Sequence, residues 1–304
     1  AGLVTPTATG NFDVTKMYNV DGGSNYWSVT AQISKNFTPA LSAMLAYTRS
    51  GGENYGDGSG DQIINLWSLP ATAGSSNIAS LGYNGNILPN RVIGSLSYRK
   101  EWLGNLATSI SMFYEGAIQG RFSYTYGGDY NRDNQFNDLI YVPRDASEIT
   151  FVPLTITVNN VARVYSAQEQ SDAFFAYVNQ DEYLSSRKGQ YAERNGAKLP
   201  WRNRVDLKLT QEVFKNVGKS KNSFQFTMDV FNFGNLLNKN WGTADFINNS
   251  QILVPTNMAS VNATTKPTFR MAQRSGDLVR SSFATNETLS STYYMQFGVR
   301  YNFN

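Results

Sequence analysis

Between Asp129 and Asp138 the chain reads DYNRDNQFND. Asp129, Asn131 and Asp133 alternate like the first three ligands of a calcium loop, and Gln135 stands where such a loop offers a backbone carbonyl. The twelve-residue calcium pattern asks for Gly at its sixth position and Glu at its twelfth. Asn134 and Ile140 stand there instead, and Asp138 is the carboxylate able to close a shorter loop. The competing reading is a polar turn in which Asp and Asn side chains hydrogen-bond their own backbone. Calcium is the cofactor to which these residues point.

A second row of charge lies in WRNRVDLKL, where Arg202, Arg204, Asp206 and Lys208 recur at every second position. On a strand they share one face. A stripe of this kind can touch a solute, pair with another part of the polypeptide, or line a water-filled space. Other chemistries are poorly supplied. The sequence has no Cys and no His, which removes thiol nucleophiles, disulfides, the usual zinc sites and His-based triads. Asp145 and Glu148 form a carboxylate pair, but nothing in the sequence places a substrate between them. The Gly-rich SGGENYGDGSGD lacks the Lys-Ser/Thr ending of a phosphate loop and reads as a flexible loop tip. The expectation is a protein that is not an enzyme. A net charge of +3, spread along 304 residues, points to no nucleic-acid partner.

The elements that carry these residues alternate with period two. YWSVTAQISKNF puts Trp27, Val29, Ala31, Ile33 and Phe37 on one face, and LSAMLAYTRS puts Leu41, Ala43, Leu45 and Tyr47 together. RVIGSLSYRKEWL gives Val92, Leu96, Tyr98 and Trp102. LATSISMFYEGAIQGRF gives Ile110, Met112, Tyr114 and Ile118, opposed to Ser109, Ser111, Glu115, Gln119 and Arg121. WRNRVDLKLTQEVF gives Trp201, Val205, Leu207, Leu209 and Val213. NSFQFTMDVF gives Phe224, Phe226, Met228 and Val230. TYYMQFGVRYNFN gives Tyr293, Met295, Phe297, Val299, Tyr301 and Phe303.

Seven such strands fit two architectures. One is a soluble antiparallel sandwich. The other is a transmembrane antiparallel β-barrel, whose strands need only about 9–11 residues each. Three features favour the barrel. The polar faces are dense with charge, and aromatics sit toward strand ends (Trp27, Tyr47, Trp102, Trp201, Tyr293). Short links (TPA, LGN, NVGKSKN) also alternate with long ones, about Gly51–Pro89, Thr125–Pro200 and Leu236–Ser290. No stretch approaches the ~20 apolar residues of a membrane helix, and AGLVTPTATG lacks the regions of a signal peptide. Seven is odd, and bacterial barrels use even numbers. The expectation is therefore the C-terminal part of one barrel domain in a longer polypeptide, with the chain starting in an external loop.

Within the long loops, SAQEQSDAFFAYVNQDEYLSSRKG reads as a helix. Ser166 and Glu169 form a capping box. Phe174, Phe175, Val178 and Tyr183 recur at helical spacing, and Gly189 follows the end. Such a helix covers the barrel mouth, meets a surface lipoprotein, or packs on the neighbours within its own loop.

Several segments resemble one family. MDVFNFGNLLNKNWG resembles the penultimate strand and following loop of TonB-dependent outer-membrane transporters. STYYMQFGVRYNFN resembles their closing strand, with Phe303 as the terminal aromatic and Asn304 as a departure. GGDYNRDNQFNDLIYVP and YLSSRKGQYAERNGAKLPWRNRVDLKL resemble Bacteroidetes receptors of the Oar-like type. The resemblance covers most of Arg91–Asn304. It implies a 22-stranded barrel in a Gram-negative outer membrane, of which these would be the last seven strands. It also implies active import of a peptide, oligosaccharide or metal chelate, driven by the TonB complex. The plug and N-terminal strands of the same polypeptide would be partners, and Arg202, Arg204, Asp206 and Lys208 would face the plug or the substrate in the lumen. The alternatives are an outer-membrane barrel serving assembly or adhesion without import, and a soluble β-sandwich binding module.

Overall fold

A computed structural model describes residues 22–56, 62–102, 106–215 and 222–303. The AGLVTPTATG stretch, the LGN link, most of NVGKSKN and Asn304 lie outside the described residues, as does the tip 57–61 of the Gly-rich loop. Seven long strands form one sheet: β1 (Asn25–Thr38), β2 (Leu41–Asn54), β3 (Asn90–Trp102), β4 (Leu106–Ile118), β5 (Trp201–Lys215), β6 (Ser223–Phe231) and β7 (Tyr294–Asn302). They lie in sequence order and each is antiparallel to its neighbours. The sheet is open and does not close into a barrel, since β1 and β7 do not pair with each other. A meander of this kind places all three long connections at one end of the sheet. Among the described residues no helix is long and apolar enough to cross a membrane.

The register puts the expected apolar residues on one continuous face. Leu45 opposes Gly94, Leu96 opposes Met112, and Met112 opposes Leu207. Leu207 in turn opposes Val230, and Val230 opposes Met295. This face is largely uncovered: Val29 is 66 % exposed, Ile33 69 %, Phe297 60 % and Val299 71 %.

Three details depart from the period-two reading. Val213 falls in a β-bulge between Glu212 and Phe214. Phe214 takes its place on the apolar face, opposite Phe224 and stacked on it at 5.7 Å. The bulge adds one residue to the strand, and an added residue reverses the facing of every later position. Next, β4 stops at Ile118, and Gly120, with φ +147, interrupts the path to Arg121. Finally, Gly51–Asn54, read as loop tip, are the last residues of β2, and Gly51, Gly52 and Glu53 pair with Trp27, Tyr26 and Asn25 of β1.

The three long connections fold together into a cap. Its helices are α1 (Ile63–Ser68), α2 (Ala167–Gln180), α3 (Glu182–Ser186) and α4 (Phe233–Leu237). The capping box at Ser166 and Glu169 is formed in both directions. The single helix expected from Ser166 onward is broken at Asp181, whose extended backbone (φ −90, ψ 116) ends α2 while its side chain caps α3. Phe174, Tyr177 and Val178 are fully buried there with Tyr124, Ile140, Leu184, Ile252 and Met271. Among the described residues, no member of this core cluster lies in β1–β7.

Candidate functional site

The charged stripe of β5 stands on the face opposite the apolar one, and its residues are engaged. Arg204 Nε lies 3.0 Å from Asp206 Oδ1, which also accepts the backbone N–H of Asn232 at 2.7 Å. Lys208 reaches across to Asp229 on β6 at 2.9 Å. Arg202 is aimed at the cap: it donates to the carbonyl of Gly242 at 3.0 Å and to that of Ser290. Arg202 thus anchors both ends of the last long connection to the sheet. Neighbouring strands extend the pattern with Arg91–Glu115 at 2.6 Å and Arg99–Glu212 at 3.1 Å. The result is a row of ion pairs within and between strands, of which the water-exposed ones are worth little each, while Glu212 is buried.

Where β6 ends, the NFGNLLNKNWG stretch turns off the sheet. Asn232 adopts a left-handed backbone (φ 53), starts the single turn of α4, and donates its side-chain N–H to the carbonyl of Gly242 at 3.0 Å. Gly242 has φ +63, and a Cβ there would collide with the Asn232 side chain, so only glycine fits. Leu237 and Trp241 remain exposed beside it.

The DYNRDNQFND loop folds back on its own carboxylates. Asp129 accepts the N–H of Asp133 at 3.2 Å and that of Asn134 at 2.8 Å. Asn131 accepts Asp133 N–H at 3.0 Å, and Asp133 accepts Gln135 N–H at 2.9 Å. Asn134 has φ 63, the left-handed conformation that glycine supplies at the sixth position of a calcium loop. The twelfth position, Ile140, is fully buried in the core. Asp138 is buried and points back, accepting Tyr130 N–H at 2.8 Å and Asn131 N–H at 3.4 Å. Burial raises its pKa to about 6, against the lowering by those two N–H groups and with a further push from Asp133 and Asp129. Among the described residues no three carboxylates converge as a ready ligand set. The backbone fits a cation loop better than the side chains do.

Asp145 and Glu148 are consumed locally. Asp145 caps a short turn through Ser147 N–H at 2.9 Å, and Glu148 accepts Arg144 N–H at 2.9 Å and the Tyr141 hydroxyl at 3.1 Å.

Two buried polar groups that sequence reasoning missed hold the cap together. Gln170, with no exposure, donates to the carbonyl of Val152 at 2.6 Å and accepts Met271 N–H at 3.0 Å, tying α2 to the last long connection. Asp181 accepts the Tyr124 hydroxyl at 2.6 Å, the Ser282 hydroxyl and Leu184 N–H at 2.9 Å. Burial, with Tyr177 and Asp181 alongside, drives the Tyr124 hydroxyl far above its ordinary range, so it stays a donor. The positions of Gln170 and Asp181 along the helical stretch were visible in the sequence; their distant partners, Met271 and Ser282 (each 101 residues away) and Tyr124 (57 away), were not.

No family model, curated protein or solved structure matches this chain.

Proposed function

We propose that the sheet is part of the wall of a transmembrane β-barrel in a Gram-negative outer membrane, and that the barrel imports a nutrient through TonB. The observation that carries the first half is the meander itself, which has one apolar face, one charged face and every long connection at the same end. Both edge strands offer unpaired backbone groups, as strands within a larger closed wall would.

The apolar face has the right height. On β5, Asn203 interrupts it and accepts the hydroxyl of Tyr114 at 2.7 Å and the indole N–H of Trp201 at 3.0 Å. Lower down, Thr108 and Gln211 bond each other, and the Trp102 indole donates to Thr108 at 3.1 Å. From residue 203 to 211 a strand extends about 26 Å, or about 20 Å when tilted by ~40°. From Trp201 to Phe214 the tilted span is about 33 Å. The ~25 Å apolar band of an outer-membrane barrel lies between these limits. Amides bonded to Trp and Tyr suit the level where lipid tails meet headgroups.

The import half rests on the resemblance of MDVFNFGNLLNKNWG, STYYMQFGVRYNFN and the cap motifs to TonB-dependent transporters. On this reading the charged face looks into the lumen, where Arg202, Arg204, Asp206 and Lys208 meet the plug of the same polypeptide or the substrate. The cap is extracellular and offers a surface to a lipoprotein partner. The test is uptake by cells carrying the protein, with and without TonB. Uptake that survives loss of TonB sinks the import half and favours an assembly or adhesion barrel. Extraction of the native protein without detergent sinks the wall and favours a soluble binding module.

Calcium in the Asp129 loop is a further part of this proposal, favoured by the left-handed Asn134. Asp129, Asn131, Asp133 and the Gln135 carbonyl would be the ligands, with Asp138 turning to close the site. Calorimetry is expected to show saturable Ca²⁺ heat that Asp129→Asn abolishes; no heat in the native protein removes the ion.

A further inference from the structure

Above β4 and β5 the two strands resume pairing without a change of register. Ile118 opposes Trp201, and beyond the break Arg121 opposes Lys198 and Phe122 opposes Ala197. The continued register places the Arg121–Lys198 pair in line with the Ala117–Arg202 and Glu115–Arg204 pairs, further into the cap. Together with Tyr83, Tyr183, Arg187 and Glu193 they line an open cleft of about 340 Å³. That volume is at the small end of ligand pockets.

The charges in this cleft do not balance. Arg187 is paired with Glu193 at 3.4 Å and also donates to the Tyr191 carbonyl at 2.7 Å. Lys198 is exposed and makes no ion pair among the described residues. Arg121 donates one N–H to the Asn195 carbonyl at 3.0 Å, while its Nε is buried with no hydrogen bond. Its guanidinium lies over the Tyr83 ring at 4.7 Å, and desolvation lowers its pKa. Nη2 makes no hydrogen bond among the described residues, and a half-buried guanidinium with such a free donor gains most from an incoming oxyanion. The two tyrosines supply flat apolar walls. Tyr183 is fixed in place by Gly196, where a Cβ would stand 2.8 Å from ring atoms, and by Glu193 N–H, which donates to its hydroxyl at 2.6 Å.

We propose that this cleft binds a small carboxylate-bearing solute, with Arg121 and Lys198 holding the carboxylate and Tyr83 and Tyr183 flanking its body. That the bound solute is also imported rests on the transport reading above. An acidic sugar and a peptide C-terminus present the same chemistry, and the experiment separates them. Detergent-solubilised native protein is titrated with glucuronic acid and with tri-alanine, against glucose, tri-alanine amide and inorganic phosphate.

At least one acid is expected to bind saturably, at least tenfold more tightly than its uncharged-end counterpart and more weakly as salt is raised. Which acid binds names the source. Lys198→Gln should weaken that binding about five- to tenfold and Lys198→Arg should restore most of it. Equal binding of acid and neutral analogue, stronger binding of phosphate than of either acid, or no saturable binding overturns the proposal. Uptake of the labelled acid is then compared with and without TonB. Binding without TonB-dependent uptake leaves the cleft standing and sinks import; TonB-dependent uptake of other solutes without binding here does the reverse.

Discussion

The sheet and the cap are made from similar residues and are stabilised in opposite ways. Every residue of β1 is exposed, and its Val29 and Ile33 cover nothing. The cap, built from connections that read as loops, buries Tyr124, Phe174, Tyr177 and Leu184 completely. A soluble domain puts its core between its regular elements. Here the long strands expose their apolar face, and the core lies among the helices and irregular segments of the connections. The cap carries its own solvent-excluded interior, whereas the sheet's apolar face is left uncovered. Ionic groups follow the same division. On the sheet most charges pair in reach of water, Glu212 being the buried exception, while in the cap Asp138 and Asp181 are buried and are stabilised by N–H and O–H donors.

The sharpest way to break this comparison is to remove one core ring. Phe174 is fully buried, edge-on to Phe175 at 5.2 Å and tilted against Phe151 at 5.7 Å. Phe174→Ala should cost the cap about 3–5 kcal/mol, read as early proteolysis of the long connections. Ile33→Ala, on the bare face of β1, should cost less than about 1 kcal/mol in detergent. A cap that tolerates the loss of Phe174 as well as the sheet tolerates that of Ile33 has no core of its own.

A charge placed on each face in turn tests the other half. Leu207 lies mid-height on the apolar face, flanked by Met112 and Val230. Leu207→Arg should cost about 2–4 kcal/mol in a bilayer, while Thr210→Arg, on the charged face, should be tolerated. Unfolding in lipid vesicles measures both, and equal costs mean that the apolar face does not meet lipid.

The pH dependence of the cap separates its buried carboxylate from the sheet's solvated ones. Asp138 has its pKa raised from the ordinary carboxylate range to about 6. The folded cap therefore holds a proton that the unfolded chain releases near pH 4. Stability is highest below that and falls as pH rises from about 4 through about 6. The loss is on the order of 3 kcal/mol. Melting in chelator across that range should show the decline, and Asp138→Asn should flatten it. A decline that persists in the variant assigns it to another group.

How much of this was legible depended on whether a signal was local. The seven strands were, because alternation needs only neighbours: Val205, Leu207 and Leu209 announce their face unaided. The bulge at Val213 was not, because an added residue shows only in the pairing across the ladder, where Glu212 meets Gln225 and Phe214 meets Phe224. The capping box from Ser166 to Glu169 spans four residues and was readable. The break at Asp181 was hidden, because NQDEY contains neither Gly nor Pro and the carboxylate is held from Tyr124 and Ser282. For the site, the β5 charges were legible as a stripe, but their engagement by Asp229, Asn232 and Gly242 was not. The cleft residues are scattered from Tyr83 to Lys198. Their one sequence-level signal was the mirror placement of Arg121 and Lys198 beyond paired strands, and it appears only once the register is known.

The smallest expected effect bears on what the sheet's charges are for. Lys208 and Asp229 meet at 2.9 Å, with the lysine side chain half exposed. A pair of this kind contributes about 0.2–1 kcal/mol, less as salt screens it. Asp229→Asn should therefore barely move the unfolding midpoint, while leaving Lys208 without its carboxylate on the charged face. If that face only lines water, solute binding and uptake stay unchanged. If it meets a plug or an anionic solute, the freed lysine changes affinity or rate while stability holds. A large loss of stability from Asp229→Asn would instead place the pair in a buried environment and remove the distinction between a solvated sheet and an enclosed cap.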